Sequence, residues 1–392
     1  MMVMPLDPDV DGRDPGLKPA GVRCIYETLL GRSPSADEVT AQLAATTEWS
    51  ALLRAVAESD EYRAARAMSG HRSDDVGTPR VNAWHPDLAR FSHPEGTWSL
   101  DGEAVVGQEG WIFLGRGTNA VLEQHQPDFV LPADWADRWR DAVRVRRDEA
   151  RELSVTLMLL VVPDKLSVMG DRLPKGVALR SRPPAAVLSH DLELGVVYPL
   201  EQLAAVTGGA YLRTDTHLSL AGNRTLASIV LSALSDSDRP WAGTMQTGVQ
   251  FASYGDLGRR FEPPVVEVIT TLNSLGGAVI VADNHAEVSG AGRHVGVRRV
   301  LRNPTAPDPR TAVVFGDSYS FPSLSYQSPA WFMAQEFREV HFVWSPFGWD
   351  RAYVEQVRAG VVVCETAERF VPRPPLLRVD VAALTRAAVA AA

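Results

Sequence analysis

Between residues 101 and 374 the chain alternates short, nearly continuous apolar runs with longer stretches of mixed polarity. GQEGWIFLG (107–115) is an apolar run bounded by glycines, and WADRWRDAVRVRRDEARELS (135–154) reads as a charged amphipathic helix. VTLMLLVVPDK (155–165), TAVVF (311–315), EVHFVW (339–344) and GVVVCE (360–365) carry few or no polar interruptions. Strands buried on both faces read this way, which predicts an α/β domain with a parallel sheet covered by helices. LAGNRTLASIVLSAL (220–234) repeats Leu226, Ile229, Val230 and Leu234 and predicts a helix. VVEVITTL (265–272), AVIVADNHA (278–286) and HVGVRRVLRN (294–303) predict a β-rich insertion between two strands of the sheet.

The first 100 residues have a different texture. Residues 1–20 are polar and proline-rich and are expected to be disordered. Residues 21–68 predict a small all-α domain of three helices. Ile25, Leu29 and Leu30 mark the first, which Gly31 stops; Ser35 caps the second with Glu38 three residues on, a capping box; Leu52, Leu53 and Val56 mark the third. Its Tyr26…Leu30-Gly31-Arg32 start and Ser59-Asp60-Glu61-Tyr62 end resemble a small helical domain of unknown function found in bacterial surface and glycan-associated proteins. Residues 69–100, with three prolines, predict a linker, and residues 375–392 a C-terminal tail.

Composition narrows the function classes. A formal charge of −9 and a pI near 5.5 disfavour a nucleic-acid partner, which needs a basic face. The start MMVMPLDPDVDGRDPG has acids and prolines where a signal peptide has a basic start and an apolar core, so a cytoplasmic location is expected. No run reaches the roughly 18 apolar residues of a membrane helix, so no membrane insertion is expected. Cys24 and Cys364 cannot form a disulfide framework, and Cys364, inside GVVVCET, reads as inert core. His71, His85 and His93 are irregularly spaced without an accompanying acid or thiol cluster, so no metal is expected there. GRGTN (115–119) and SGAGRH (289–294) do not lead from a strand into a helix, so neither predicts a dinucleotide loop, and no cofactor is expected.

Two motifs carry candidate chemistry. TAVVF runs into Gly316-Asp317-Ser318, which offers a hydroxyl where functional groups collect in a parallel sheet, beyond the strand's carboxyl end. The glycine is expected to let the chain turn sharply, and Asp317 to stabilise the turn through a side-chain bond to backbone. AYLRTDTHLS sets Asp215 two residues before His217, read as a second strand end. A carboxylate can hold an imidazole's Nδ1–H and leave Nε2 as general base, the arrangement of an acyl-transfer triad. A Gly-Asp-Ser tripeptide is common and Asp-x-His also caps helices; the weight comes from finding both in one α/β domain.

GQEGWIFLG, VVPDKLSV (161–168), TDTHLSLAGN (214–223), YGDLG (254–258), VVFGDSYS (313–320) and VCETAERF (363–370) occur in the order of the SGNH-hydrolase-like AlgX/AlgJ family, which the region 101–372 resembles. Best-known members of that family O-acetylate alginate. The resemblance implies a three-layer α/β/α SGNH-hydrolase-like fold, with Ser318 as nucleophile, His217 as base and Asp215 as orienting acid. It further implies acetyl transfer to a carbohydrate hydroxyl through an acetyl-serine intermediate; a carbohydrate O-acetylesterase and a non-catalytic glycan-assembly scaffold are the alternatives. The partners expected are a carbohydrate acceptor and an acetyl donor, either acetyl-CoA or an acyl-carrying membrane partner. Tyr326, Arg351 and Lys165 are candidate substrate-binding residues, each with a structural alternative; for Lys165 that is an ion pair with Glu365 or Glu368. Asn284 stands in the insertion as a candidate for the SGNH asparagine. Leu218 stands where the family often has tryptophan, which leaves the glycan open.

Overall fold

A six-stranded sheet carries the fold in the computed structural model, which describes residues 22, 26, 34–45, 55–56, 59–61 and 93–390, apart from breaks at 118, 178, 181, 235–247, 273–275, 290–293 and 324–326. The strands, in chain order, are β1 (Ala104–Val106), β2 (Ile112–Leu114), β3 (Thr156–Val162), β4 (Gly248–Ser253), β5 (Glu267–Leu272), β6 (Val279–Asp283), β7 (Arg298–Arg302), β8 (Asp308–Gly316), β9 (Phe337–Trp344) and β10 (Ala359–Ala367). The central sheet has the order β3-β10-β8-β9-β7-β6. Its first four strands are parallel, with Cys364 of β10 between Leu159 of β3 and Phe315 of β8. These are the four apolar runs of the sequence.

The β-rich insertion lies between β3 and β8 as expected, but the sheet is not parallel throughout. β7 pairs antiparallel with β9, and β6 antiparallel with β7, so two of its strands widen the central sheet and make it mixed. β5 instead pairs with β4 in a two-stranded ribbon, and β1 with β2 in another.

Main-chain alternation along β3 divides the core into two layers. Met158, Leu160 and Val162 face one side, against the helices α3 (Leu220–Leu234) and α4 (Pro329–Glu336). Leu159 and Val161 face the other, against α2 (Trp135–Glu152), with Val313, Phe315 and Cys364 beside them. The indole N–H groups of Trp135 and Trp139 both donate to Val371 O, at 2.8 and 3.0 Å, fixing the start of α2 over the chain that leaves β10. With helices on both faces, this is the expected three-layer α/β/α arrangement, an SGNH-like α/β fold.

Toward the N-terminus, helix α1 (Ala36–Ala45) opens on the expected capping box. Ser35 N–H donates to Glu38 Oε2 at 2.7 Å and Glu38 N–H to Ser35 Oγ at 3.2 Å. Tyr26, in a helical turn, accepts from Gln42 Nε2 at 3.0 Å. Residues 1–20, Cys24, Leu30-Gly31-Arg32, Tyr62, His71 and His85 lie outside the described residues. At the end of the expected linker, His93 Nε2 lies 2.8 Å from Pro263 O and Trp98 bridges to Val105, so residues 93–100 pack on the domain. Helix α5 (Val381–Ala390) occupies most of the expected tail; Val381 N–H donates to Asp350 Oδ2 at 2.8 Å, and Ala388 packs with Val288 and Val297.

Candidate active site

The carboxyl edge of the parallel strands gathers the chemistry, as the topology requires. At the end of β8, Asp317 holds the turn with both carboxylate oxygens: Oδ1 accepts Tyr319 N–H at 3.0 Å and Oδ2 accepts Ala367 N–H at 2.7 Å. Its own N–H donates to Glu365 Oε2 at 3.1 Å. Gly316 is needed for space and not for backbone freedom. Its φ lies outside the left-handed region, whereas a Cβ there would stand 2.5 Å from Glu365 Oε2. The turn buries Asp317, Tyr319 and Ser320 and leaves Ser318 partly open.

Asp215 and His217 do not sit at a sheet strand's end, as AYLRTDTHLS was read. An isolated bridge between Tyr211 and Leu218 closes residues 211–218 into a tight loop. Too short to extend a ladder, the loop turns its backbone donors to a carboxylate: Glu267 of β5 accepts Arg213 N–H at 2.9 Å and Thr214 N–H at 2.6 Å. Within the loop Asp215 Oδ1 lies 2.6 Å from His217 Nδ1 and also accepts His217 N–H at 2.9 Å. Asp215 is buried, whereas the His217 side chain keeps 22% exposure. Burial pushes the Asp215 carboxyl up, but the imidazole beside it and its hydrogen bonds hold it well below the usual carboxylate range. Burial opposes the charge of His217, and Asp215 overcomes it, so the imidazole titrates above its ordinary 6.5.

Tyr319, the residue after Ser318, joins the two halves. Its ring meets the His217 imidazole edge-on with centroids 5.8 Å apart, and its hydroxyl donates to Thr216 O at 3.0 Å. Beneath it, Arg369 pairs with the buried Asp164 at 3.1 Å and lies 5.1 Å over the Tyr319 ring. A small recess opens here, walled by Leu114, Val121, Asp164, Thr216, Tyr319 and Arg369. Buried Asp164 and Asp317 face the Arg369 charge, while buried Glu365 and Glu368 accept the backbone N–H groups of Asp317 and Asp164. Burial and the neighbouring Asp317 push Glu365 well above the carboxylate range, and burial with Asp164 pushes Glu368 up to about 8.

The three candidate substrate residues fall in different places. Tyr326 lies outside the described residues. Arg351 pairs with Glu152 and Glu355. Glu152 closes α2 just before β3 begins, so Arg351 is engaged toward the amino edge of the sheet, opposite the His217 loop. Lys165 is buried beside the loop, but not paired with Glu365 or Glu368: its ammonium donates to Ile112 O, Arg213 O and Asp215 O at 2.6, 2.7 and 3.1 Å. Those two carboxylates are taken up by the backbone N–H groups of Asp317 and Asp164. Asn284 bridges the β6–β7 connection, donating to Gly296 O and accepting Arg298 N–H at 2.6 Å.

Sequence reading passed over Asp256, Asp164, Tyr319 and Arg369 as site residues. Each stands inside a quoted motif (YGDLG, VVPDKLSV, VVFGDSYS, VCETAERF), and that was the available signal. Asp256 Oδ1 accepts Thr216 N–H at 2.7 Å, its Oδ2 accepts the Thr216 hydroxyl, and its N–H donates to Asp215 Oδ2 at 3.1 Å. Asp215, His217 and Asp256 bring one potential donor atom each to within 4.8 Å of one another.

The family model for the SGNH hydrolase-like domain of acetyltransferase AlgX matches residues 104–331. No curated protein matches the sequence. Among solved structures, the O-acetyltransferase domain of Pseudomonas putida AlgJ is 18% identical, with 72% of this chain and 99% of that one covered and a TM-score of 0.42. Bacillus cereus PatB1 is 12% identical, with 70% and 97% covered and a TM-score of 0.46. Pseudomonas aeruginosa AlgX is 16% identical, with 72% and 63% covered and a TM-score of 0.40.

Proposed function

Since the chain belongs to the AlgX family of SGNH-hydrolase-like domains, we propose that it transfers an acetyl group to a carbohydrate hydroxyl through an ester on Ser318. The observation that carries this reading is the 2.6 Å contact of Asp215 Oδ1 with His217 Nδ1. It holds the Nδ1–H tautomer and leaves Nε2 as the basic nitrogen.

In the first half-reaction His217 Nε2 takes the Ser318 proton as Oγ bonds to the acetyl carbonyl carbon of the donor. The tetrahedral intermediate collapses, the bond to the leaving group breaks, and the imidazolium returns the proton to that group. In the second half the imidazole takes the proton of a sugar hydroxyl, whose oxygen attacks the acetyl-serine ester; the proton then passes to Ser318 Oγ. The backbone N–H of Ser318 is the proposed donor to the oxyanion, a contribution of about 3 kcal/mol for such a group. The donor is an activated acetyl ester, from acetyl-CoA or from an acyl-carrying membrane partner. Among the described residues no helix is long and apolar enough to cross a membrane.

Incubation with p-nitrophenyl acetate, with and without an oligosaccharide, tests the reading. The proposal expects nitrophenol release in both, with acetylated sugar formed at the expense of free acetate. Nitrophenol release with free acetate unaffected by the sugar identifies an esterase. No release in either arm removes acyl transfer altogether.

A further inference from the structure

The Tyr254–Gly258 turn has no part in the reaction just described, yet it grips the acid–base loop at three successive residues, Thr214, Asp215 and Thr216. Asp256 accepts both the N–H and the hydroxyl of Thr216, the residue between Asp215 and His217. Its own N–H donates to Asp215 Oδ2, the oxygen that the imidazole does not use. The N–H groups of Leu257 and Gly258 donate in turn to Thr214 O, at 3.1 and 2.9 Å. The approach is close enough to demand glycine: Gly255 has φ +57°, and a Cβ there would stand 2.3 Å from Thr214 O and 2.8 Å from Asp215 Cβ. Arg260 fastens the turn from behind, donating to Asp256 O at 3.1 Å and pairing with Asp101 and Glu103 beside β1.

We propose that Asp256 is a positioning residue of the acyl-transfer site: it clamps Thr216 and Asp215 so that the carboxylate–imidazole pair keeps its geometry, with a second carboxylate set beside the imidazole. This rests on the acyl-transfer reading above. A lone Asp-x-His pair in a loop has backbone freedom on both sides, and ångström-scale misplacement of such a pair costs about a hundredfold in rate. Hydrogen bonds to the two residues that precede His217, Asp215 and Thr216, remove that freedom on its N-terminal side. The charged groups facing the imidazole are Asp215 and Asp256 from the two turns and Arg369 from the chain after β10; Tyr319 faces it from the turn after β8, and Lys165 holds the Asp215 carbonyl. Of these, Asp215 and Asp256 favour the imidazolium and Arg369 disfavours it.

Two variants separate the clamp from the charge. Asp256→Asn can still accept the Thr216 N–H but carries no charge; Asp256→Ala removes both. The readouts are the His217 ring titration by NMR in a Ser318→Ala background, which needs no turnover, and kcat and KM across pH. The proposal expects the His217 midpoint to fall in Asp256→Asn. It expects kcat to fall about a hundredfold in Asp256→Ala with little change in KM, and Asp256→Asn to retain a plateau kcat well above that of Asp256→Ala. Should Asp256→Ala not fold, Thr216→Val removes the hydroxyl arm alone and is expected to lower kcat while the protein remains folded at the assay temperature. An unmoved midpoint in Asp256→Asn, or wild-type kcat in Asp256→Ala, overturns the proposal. A shifted midpoint in a protein that transfers no acetyl group upholds the placing of the Asp256 carboxylate beside the imidazole and overturns the acyl-transfer reading instead.

Discussion

The Asp317 carboxylate accepts the Ala367 N–H at 2.7 Å, so the turn that presents Ser318 is tied to the last residue of the adjacent parallel strand. The bond spans 50 residues of sequence and makes the position of the hydroxyl a property of the sheet and not of the turn alone. The His217 loop is likewise held from segments remote in the chain, by Glu267 on Thr214 and Asp256 on Thr216.

Gly316→Ala tests that packing. The added methyl would stand 2.5 Å from Glu365 Oε2, with Ser320 Cβ at 3.1 Å on another side. Overpacking of this kind costs about 1–3 kcal/mol. Chemical denaturation is expected to show that loss, and acetyl-transfer rates to fall further than stability does, because the strain sits one residue from Asp317.

Asp215→Asn removes the charge opposite the imidazole and favours the wrong tautomer. A drop in kcat of about 10⁴ is expected, the size seen when an orienting aspartate is replaced by asparagine in a serine triad. The pH profile gives the sign. His217 works as a base only when neutral, and Asp215 raises its pKa above 6.5, so wild-type activity climbs with pH through a midpoint above that value. In Asp215→Asn the residual activity should climb through a lower midpoint.

Lys165→Met leaves the carbonyls of Ile112, Arg213 and Asp215 without their shared donor. Arg213 O keeps the Ile112 N–H, and a buried carbonyl that loses its donor costs about 1–3 kcal/mol. A lower melting temperature is expected, with the remaining folded protein impaired in kcat because the Asp215 backbone has lost its anchor. An unchanged melting temperature would mean that the ammonium's contacts do not hold the loop.

Glu368→Gln probes the buried carboxylates. With its folded pKa pushed up to about 8 and an unfolded value of about 4.3, Glu368 contributes stability that is whole below pH 4.3 and is lost as pH rises through 8. Glutamine stays neutral throughout and can still accept the Asp164 N–H. The variant is therefore expected to match the wild type near pH 4 and to exceed its denaturation midpoint at pH 8. Equal midpoints at both pH values would contradict the assignment.

The parallel core was legible because β3, β8, β9 and β10 are buried on both faces and so read as nearly unbroken apolar runs. The capping box at Ser35 and Glu38 was legible because it is local, closing within three residues. Strand β4, GVQFAS, was not, since six residues of mixed polarity carry no period that separates them from a loop. Nor could apolar pattern tell that β6 and β7 join the main sheet, because pairing partners are a long-range choice. At the site, Asp215 and His217 were readable from their two-residue spacing. Asp256 was not, because its hydrogen bonds reach back 40 residues to Thr216.

The most direct test of the account is the intact mass of the protein after brief exposure to an activated acetyl ester. A species heavier by one acetyl group should appear in the wild type, map to Ser318, disappear when acceptor sugar is added, and be absent from Ser318→Ala. An acetylated species that persists in Ser318→Ala, or a wild type that never gains the group while nitrophenol is released, would contradict it.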